Sequence, residues 1–162
     1  MTGKPSWQAI PTKLSQAQLE EFVLPHLSRG RRGPPPTQSL HRIVNYILKA
    51  LYMGCQWMML PIDSNDEGHR EIHRTRIYRM MRRWQADGSI ERIFSGTVDR
   101  LHQDQLLELS VIHGDGTTTA AKKGGDNLGY SGQKHLKGCK VVAFRDRDCN
   151  VIAPFVTTCQ ST

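Results

Sequence analysis

Up to about position 105 the apolar residues of this chain recur every three or four positions, and beyond it they tend to alternate. A chain with that change of period builds helices first and a sheet afterwards, so the expected fold class is α+β. Ser15 reads as the cap of a first helix, with Gln18 three residues on and Leu19, Phe22, Val23 and Leu27 along one face; Pro25 ends or kinks it. Thr37 or Ser39 caps a second helix, in which Leu40, Ile43, Val44, Ile47, Leu48 and Leu51 make a broad stripe and Gly54 supplies the stop. Trp57 anchors a short helical piece at residues 55–60. A helix at about residues 71–86 sets Ile77, Met80, Met81 and Trp84 on one side and Arg76, Arg79, Arg82 and Arg83 on the other, and Asp87-Gly88 ends it. Ser89 caps a last helix reaching about Gln105, with Ile93, Phe94, Val98 and Leu101 facing inward. Strands are expected at residues 107–119, 139–144 and 151–157, and the turn at residues 145–150 joins the last two as a hairpin. Pro154 restricts its strand to an edge or a bulge.

Charge narrows the function. Basic residues outnumber acidic ones 22 to 15, for a net charge of +7 and a pI near 9.5, which favours a polyanionic partner. Their placement says more. Arg70, Arg74, Arg76, Arg79, Arg82 and Arg83 fall within fourteen positions that hold one acid, Glu71. A face that is only solvated usually mixes signs, so this one reads as a nucleic-acid contact. A helix, a tight connection and a second helix with one apolar and one arginine-rich face is also the outline of a helix-turn-helix DNA reader. The basic Gly/Pro connector at residues 28–36 cannot be helical, and it reads equally as a linker or as an arm that follows phosphates.

Other chemistries find less support. His69 and His73 are spaced i, i+4 like metal ligands on a helix, but they stand among arginines that disfavour a cation. Cys55, Cys139, Cys149 and Cys159 form no Cys-x-x-Cys pair, which points to neither a zinc site nor a disulfide framework and suits a reducing cytoplasm. Residues 1–11 have no apolar core of a signal peptide. The apolar stretch at residues 43–62 is broken by Asn45, Lys49, Gly54, Gln56 and Pro61, so no membrane partner is expected.

One acid stands apart. The run Leu107, Leu109, Val111, Ile112 leads into His113-Gly114-Asp115-Gly116-Thr117, which reads as a strand ending on a carboxylate between two glycines that leave the backbone around it uncluttered. Mg²⁺ is commonly held by one or two carboxylates together with phosphate oxygens, so an acid there suits phosphoryl-transfer chemistry. The same Gly-Asp-Gly-Thr also reads as a plain turn. The glycine-rich basic stretch at residues 122–135 is no P-loop, because no Gly-Lys-Ser/Thr closes it.

Taken in order, these motifs resemble a known family. Gly54-Cys55-Gln56-Trp57, the Ile77-Tyr78-Arg79 to Trp84 helix and Asp87-Gly88-Ser89-Ile90-Glu91-Arg92-Ile93-Phe94 resemble the amino-terminal DNA-binding domain of bacterial insertion-sequence transposases of the insertion-sequence-five group. Gly114-Asp115-Gly116-Thr117, Ala121-Lys122-Lys123-Gly124-Gly125, Gly129-Tyr130-Ser131-Gly132-Gln133-Lys134-His135 and Lys140-Val141-Val142-Ala143 resemble the start of their catalytic domain. The resemblance implies a helical DNA-binding domain at residues 14–105. At residues 106–157 it implies the first three strands of a ribonuclease-H-like domain that cleaves and transfers DNA strands with two Asp, one Glu and Mg²⁺.

Asp115 matches the first Asp of that triad, as its metal ligand, and the other two acids have no counterpart. Asp126, Asp146 and Asp148 do not match in position. The expectation is therefore an amino-terminal portion, inactive alone, as a frameshift product, a separate first half or a truncated gene would be. Its partners would be the inverted-repeat DNA of the element and the remaining catalytic half or a second copy. Arg76, Arg79, Arg82 and Arg83 would meet phosphates; Arg70, His73 and Arg74 would meet base edges; Lys122, Lys123 and Lys134 would guide DNA past the catalytic centre. The alternative is a DNA binder that acts without catalysis as a repressor of transposition.

Overall fold

The computed structural model describes residues 12–28, 39–121, 128–132 and 134–158, the last four by their backbone. The chain forms two compact units, Met1–Thr97 and Val98–Thr162.

The first unit is helical. Ser15 caps α1 (Gln16–Gln18) as the sequence suggests: its hydroxyl accepts the Gln18 N–H at 3.2 Å, and the Gln18 side chain accepts the Ser15 N–H at 2.9 Å. The segment does not continue as an α-helix, however. It widens into a π-helical stretch, Leu19–Val23, and tightens into a 3-10 turn, Leu24–His26, that holds Pro25. A proline inside a helix has no N–H to give and crowds the preceding turn. The change of winding satisfies it while Leu19, Val23 and Leu27, spaced four apart, all stay buried.

The second helix, α2 (Leu40–Met53), buries Ile43, Val44, Tyr46, Ile47 and Ala50. Ser39 stands at its cap without a side-chain bond, and Gly54 ends it in the left-handed conformation, φ 58°, which a Cβ would disfavour. Leu51, expected in the stripe, is 58% exposed.

A 3-10 turn, Trp57–Met59, precedes the fully buried Leu60. The arginine helix α3 (Arg74–Ala86) starts later than expected, capped by His73, whose Nδ1 accepts the Thr75 N–H at 3.2 Å. The connection from α2 to α3 therefore runs from Gly54 to His73 and is not the tight turn of a helix-turn-helix. The tight connection, Asp87-Gly88, comes after α3 and leads into α4 (Ser89–Gln103). Ser89 is not the cap expected of it. It is the first residue of the helix and has no exposed surface, and the Asp87 carboxylate accepts its N–H at 3.0 Å.

Every buried apolar side chain among the described residues belongs to this first unit. Full burial of a Leu, Ile or Trp contributes about 1.5–3 kcal/mol or more each, so the Leu19–Ile43–Ile77–Trp84 cluster is what holds α3 in place.

The second unit carries a four-stranded antiparallel sheet: β1 (His113–Ala120), β2 (Gly129–Ser131), β3 (Leu136–Arg145) and β4 (Val151–Thr158). β3 is central. It pairs with β1 (Asp115 opposite Ala143), with β2 (Tyr130 opposite Lys137) and with β4 (Ala143 opposite Pro154), with a register shift at Phe144/Arg145. The β3–β4 hairpin is where the sequence puts it. β2 is an addition, drawn from a stretch that reads as loop.

The first strand needs the larger correction. Leu109, Val111 and Ile112 lie before β1, 44–55% exposed, and the strand itself is the glycine- and threonine-rich His113–Ala120. The apolar run is diverted at Glu108. Its N–H is accepted by the Asp146 carboxylate at 3.0 Å, its carbonyl accepts the Arg147 N–H at 3.2 Å, and its side chain accepts the Ser110 N–H at 3.0 Å. No helix among the described residues is long and apolar enough to cross a membrane.

Candidate nucleic-acid interface

At about 100° of rotation per residue, Ile77 and Trp84 of α3 share the inward direction, and Arg76, Arg79 and Arg83, at i, i+3 and i+7, share an outward one. These three arginines line an open concavity of about 560 Å³ together with His73, Thr75 and Met80. Arg82 is exposed beside Arg79, and residues 74–86 contain no acid. Arg83 is oriented by a bond from its Nη2 to the Ser28 carbonyl at 3.2 Å.

Two arginines of the sequence cluster stand elsewhere. Arg74 is half-buried and gives its Nε–H to the Leu60 carbonyl at 2.8 Å, so it ties the start of α3 to the preceding turn. Arg70 precedes the helix, pairing by a backbone bridge with Ser64. The structure thus gathers His73, Arg76, Arg79 and Arg83, with Arg82 adjacent. His69 lies 3.6 Å from Glu67. Lys134 is exposed in the β2–β3 turn; Lys122, Lys123, Asp126, Cys159 and residues 29–36 of the Gly/Pro connector lie outside the described residues.

Sequence reading missed the node that fixes this helix. The Asp87 carboxylate accepts the Ser28 hydroxyl and both the N–H and hydroxyl of Ser89. Arg92 closes the group, donating to the carbonyls of His26 at 3.2 Å and Asp87 at 3.0 Å and to the Ser89 hydroxyl at 3.0 Å. The Asp-Gly-Ser run at residues 87–89 signals a helix boundary, but nothing in it names Ser28, which is 59 positions away.

The Ser28 hydroxyl, then that of Ser89, holds the Asp87 carboxyl below its ordinary value of 3.8. A carboxyl depressed in the folded state stabilises fully above its unfolded pKa, about 3.9, and the contribution is lost as pH falls through the lower folded value. Asp87→Asn is therefore expected to lower the urea midpoint at pH 7 and to differ less from the wild type at pH 3. An equal deficit at both pH values would show that the charge of Asp87 is not what matters.

Asp115 is the third residue of β1 and neither ends a strand nor sits in a turn. It is exposed, and its Oδ1 accepts the N–H of Gly116 at 2.8 Å. Alternation puts it on one face with His113 and Thr117. The flanking glycines serve the other face: a Cβ on Gly114 would lie 2.8 Å from the Phe144 ring, and one on Gly116 would lie 3.1 Å from the Lys140 side chain. They make room for cross-strand neighbours, a packing reason that spacing alone does not reveal.

The other acids do not join Asp115. Asp146 has no exposed surface, and its carboxylate accepts the Asn150 N–H at 2.7 Å, the Asn150 amide at 3.0 Å and the Glu108 N–H. Burial pushes its carboxyl up, but these hydrogen bonds, that of the Asn150 side chain first, outweigh burial and hold it below the ordinary range. It is the bolt of the β3–β4 turn. Among the described residues no three His, Cys, Asp or Glu side chains converge as metal ligands. Cys55, Cys139 and Cys149 are free thiols.

A family model described as "Putative transposase of IS4/5 family" matches residues 14–94. The chain belongs to that family. No curated protein and no solved structure matches it. In this IS4/5-family chain the matched span runs from the start of the helical unit into α4, taking in the arginine stripe and the Asp87 node, and it stops before β1 and Asp115.

Proposed function

We propose that this IS4/5-family chain recognises the end DNA of an insertion sequence through the outward face of α3, as the amino-terminal part of a transposase. The observation that carries this reading is the stripe of Arg76, Arg79 and Arg83, beside Arg82, on a helix with no acidic residue. Guanidinium groups at helical spacing meet phosphates along a backbone, while His73, at the helix start, and Arg70 and Arg74 beside it are the candidates for base edges. Such a binder works where the DNA is, in the cytoplasm.

The antiparallel order β1–β3–β4 supports reading the second unit as the opening strands of a ribonuclease-H-like domain, with Asp115 as one carboxylate of the centre that the complete enzyme assembles with Mg²⁺. A carboxylate standing alone does not hold the two metal ions of strand transfer. That favours a second reading, in which the chain occupies transposon ends without cleaving them and so represses transposition.

The test is binding of the purified chain to labelled inverted-repeat DNA and to scrambled DNA across a salt series, with and without Mg²⁺. A preference for the repeats of about 10³ or more without nicking is expected. Equal binding to both DNAs that collapses with salt would reduce the arginine face to a phosphate patch and end the end-recognition reading.

A further inference from the structure

We infer that Met58 and Met59 form an apolar wedge that unstacks a base step when α3 lies against duplex DNA. The inference rests on the DNA-binding reading above and adds the manner of engagement. The two methionines are 73% and 70% exposed, more than any other large apolar side chain among the described residues. They are not on a loose loop. The Met59 N–H is held by the Gln56 carbonyl at 2.8 Å, and the next residue, Leu60, is fully buried.

The turn is fastened to the flank of α3 at two points one helical turn apart. Arg74 bonds the Leu60 carbonyl at 2.8 Å, and the Trp57 ring meets the Tyr78 ring at 5.7 Å between centroids, tilted by 57°. Arg82 is the next residue along that i, i+4 row, so the methionines stand beside the cationic face.

The occupant follows from charge. An exposed apolar pair on a turn fastened to the Arg74–Tyr78–Arg82 row of a helix without acids suits a polyanion whose interior is apolar. Proteins that kink DNA use this combination: basic residues hold the phosphates while a Leu, Ile, Phe or Met enters between bases. Methionine, unbranched and polarizable, fits an irregular gap of that kind.

The experiment uses inverted-repeat duplexes carrying 2-aminopurine at successive positions, with the whole chain as wild type and as Met58→Ala/Met59→Ala. Wild type is expected to raise the fluorescence about threefold or more at one or two adjacent positions. The double variant is expected to lose that rise while its duplex affinity falls by less than about tenfold. Both residues are on the surface, so an unchanged thermal melt keeps the comparison clean. Binding by the wild type with no rise at any position, or a rise retained by the variant, overturns the wedge and leaves DNA binding standing. A variant that converts a dimer to a monomer in light scattering, with the rise intact, assigns the turn to a second copy instead. Failure of the wild type to bind the duplex removes the DNA reading and the wedge with it.

Discussion

Replacing Arg76, Arg79 and Arg83 together by alanine is expected to weaken binding to duplex DNA by about a hundredfold at physiological salt and to flatten the slope of log K against log[salt] by about three, roughly one for each phosphate no longer neutralised. The three line one concavity on α3, so a single stretch of backbone meets all of them. The loss should be the same on repeat and scrambled DNA, since binding to phosphates carries no sequence information. Arg74→Ala is the contrasting variant. Its side chain is committed to the Leu60 carbonyl, so it should lower the melting temperature and leave the salt slope of the folded fraction unchanged. A triple variant that melts like wild type and keeps its salt slope would show that DNA, if bound, is bound elsewhere.

The second large effect concerns what holds the stripe in place. Trp84→Ala is expected to cost about 3–5 kcal/mol, because a large aromatic removed from a packed site leaves a cavity that its neighbours fill only in part. Trp84 is 2% exposed, in one cluster with the fully buried Ile77, Ile43 and Leu19. Small domains have about 5–15 kcal/mol in all, so the variant should be largely unfolded under mild urea and should lose DNA binding along with helicity. Trp84→Phe should cost far less: the indole N–H has no hydrogen-bond partner among the described residues, and most of the ring volume is kept. Urea titrations followed by far-ultraviolet circular dichroism separate the two. A loss below about 1 kcal/mol for Trp84→Ala would mean that α3 does not depend on this anchor.

Much of this was legible from one-dimensional pattern because its causes are local. The capping box of Ser15 and Gln18, the stop at Gly54, the hairpin at residues 145–150 and the division of α3 into an Ile77/Trp84 side and an arginine side each depend on residues within a turn or two of one another. Where the reading failed, the deciding partner was distant or a competing local bond prevailed. Leu109, Val111 and Ile112 alternate as a strand should, but Glu108 is captured by the Asp146 turn, 38 positions on, and the strand begins only at His113.

The candidate site divides in the same way. The sequence by itself determined that the chain would be helical first and sheet afterwards, and that one helix would carry a cationic face, because periodicity and charge are properties of neighbouring residues. Only the tertiary structure decided which arginines line one concavity, that Asp87 and Asp146 are structural bolts, and that the glycines beside Asp115 make room for Phe144 and Lys140. A hydrogen bond or a close approach across 14 to 66 positions depends on where the chain returns, and that is set by packing.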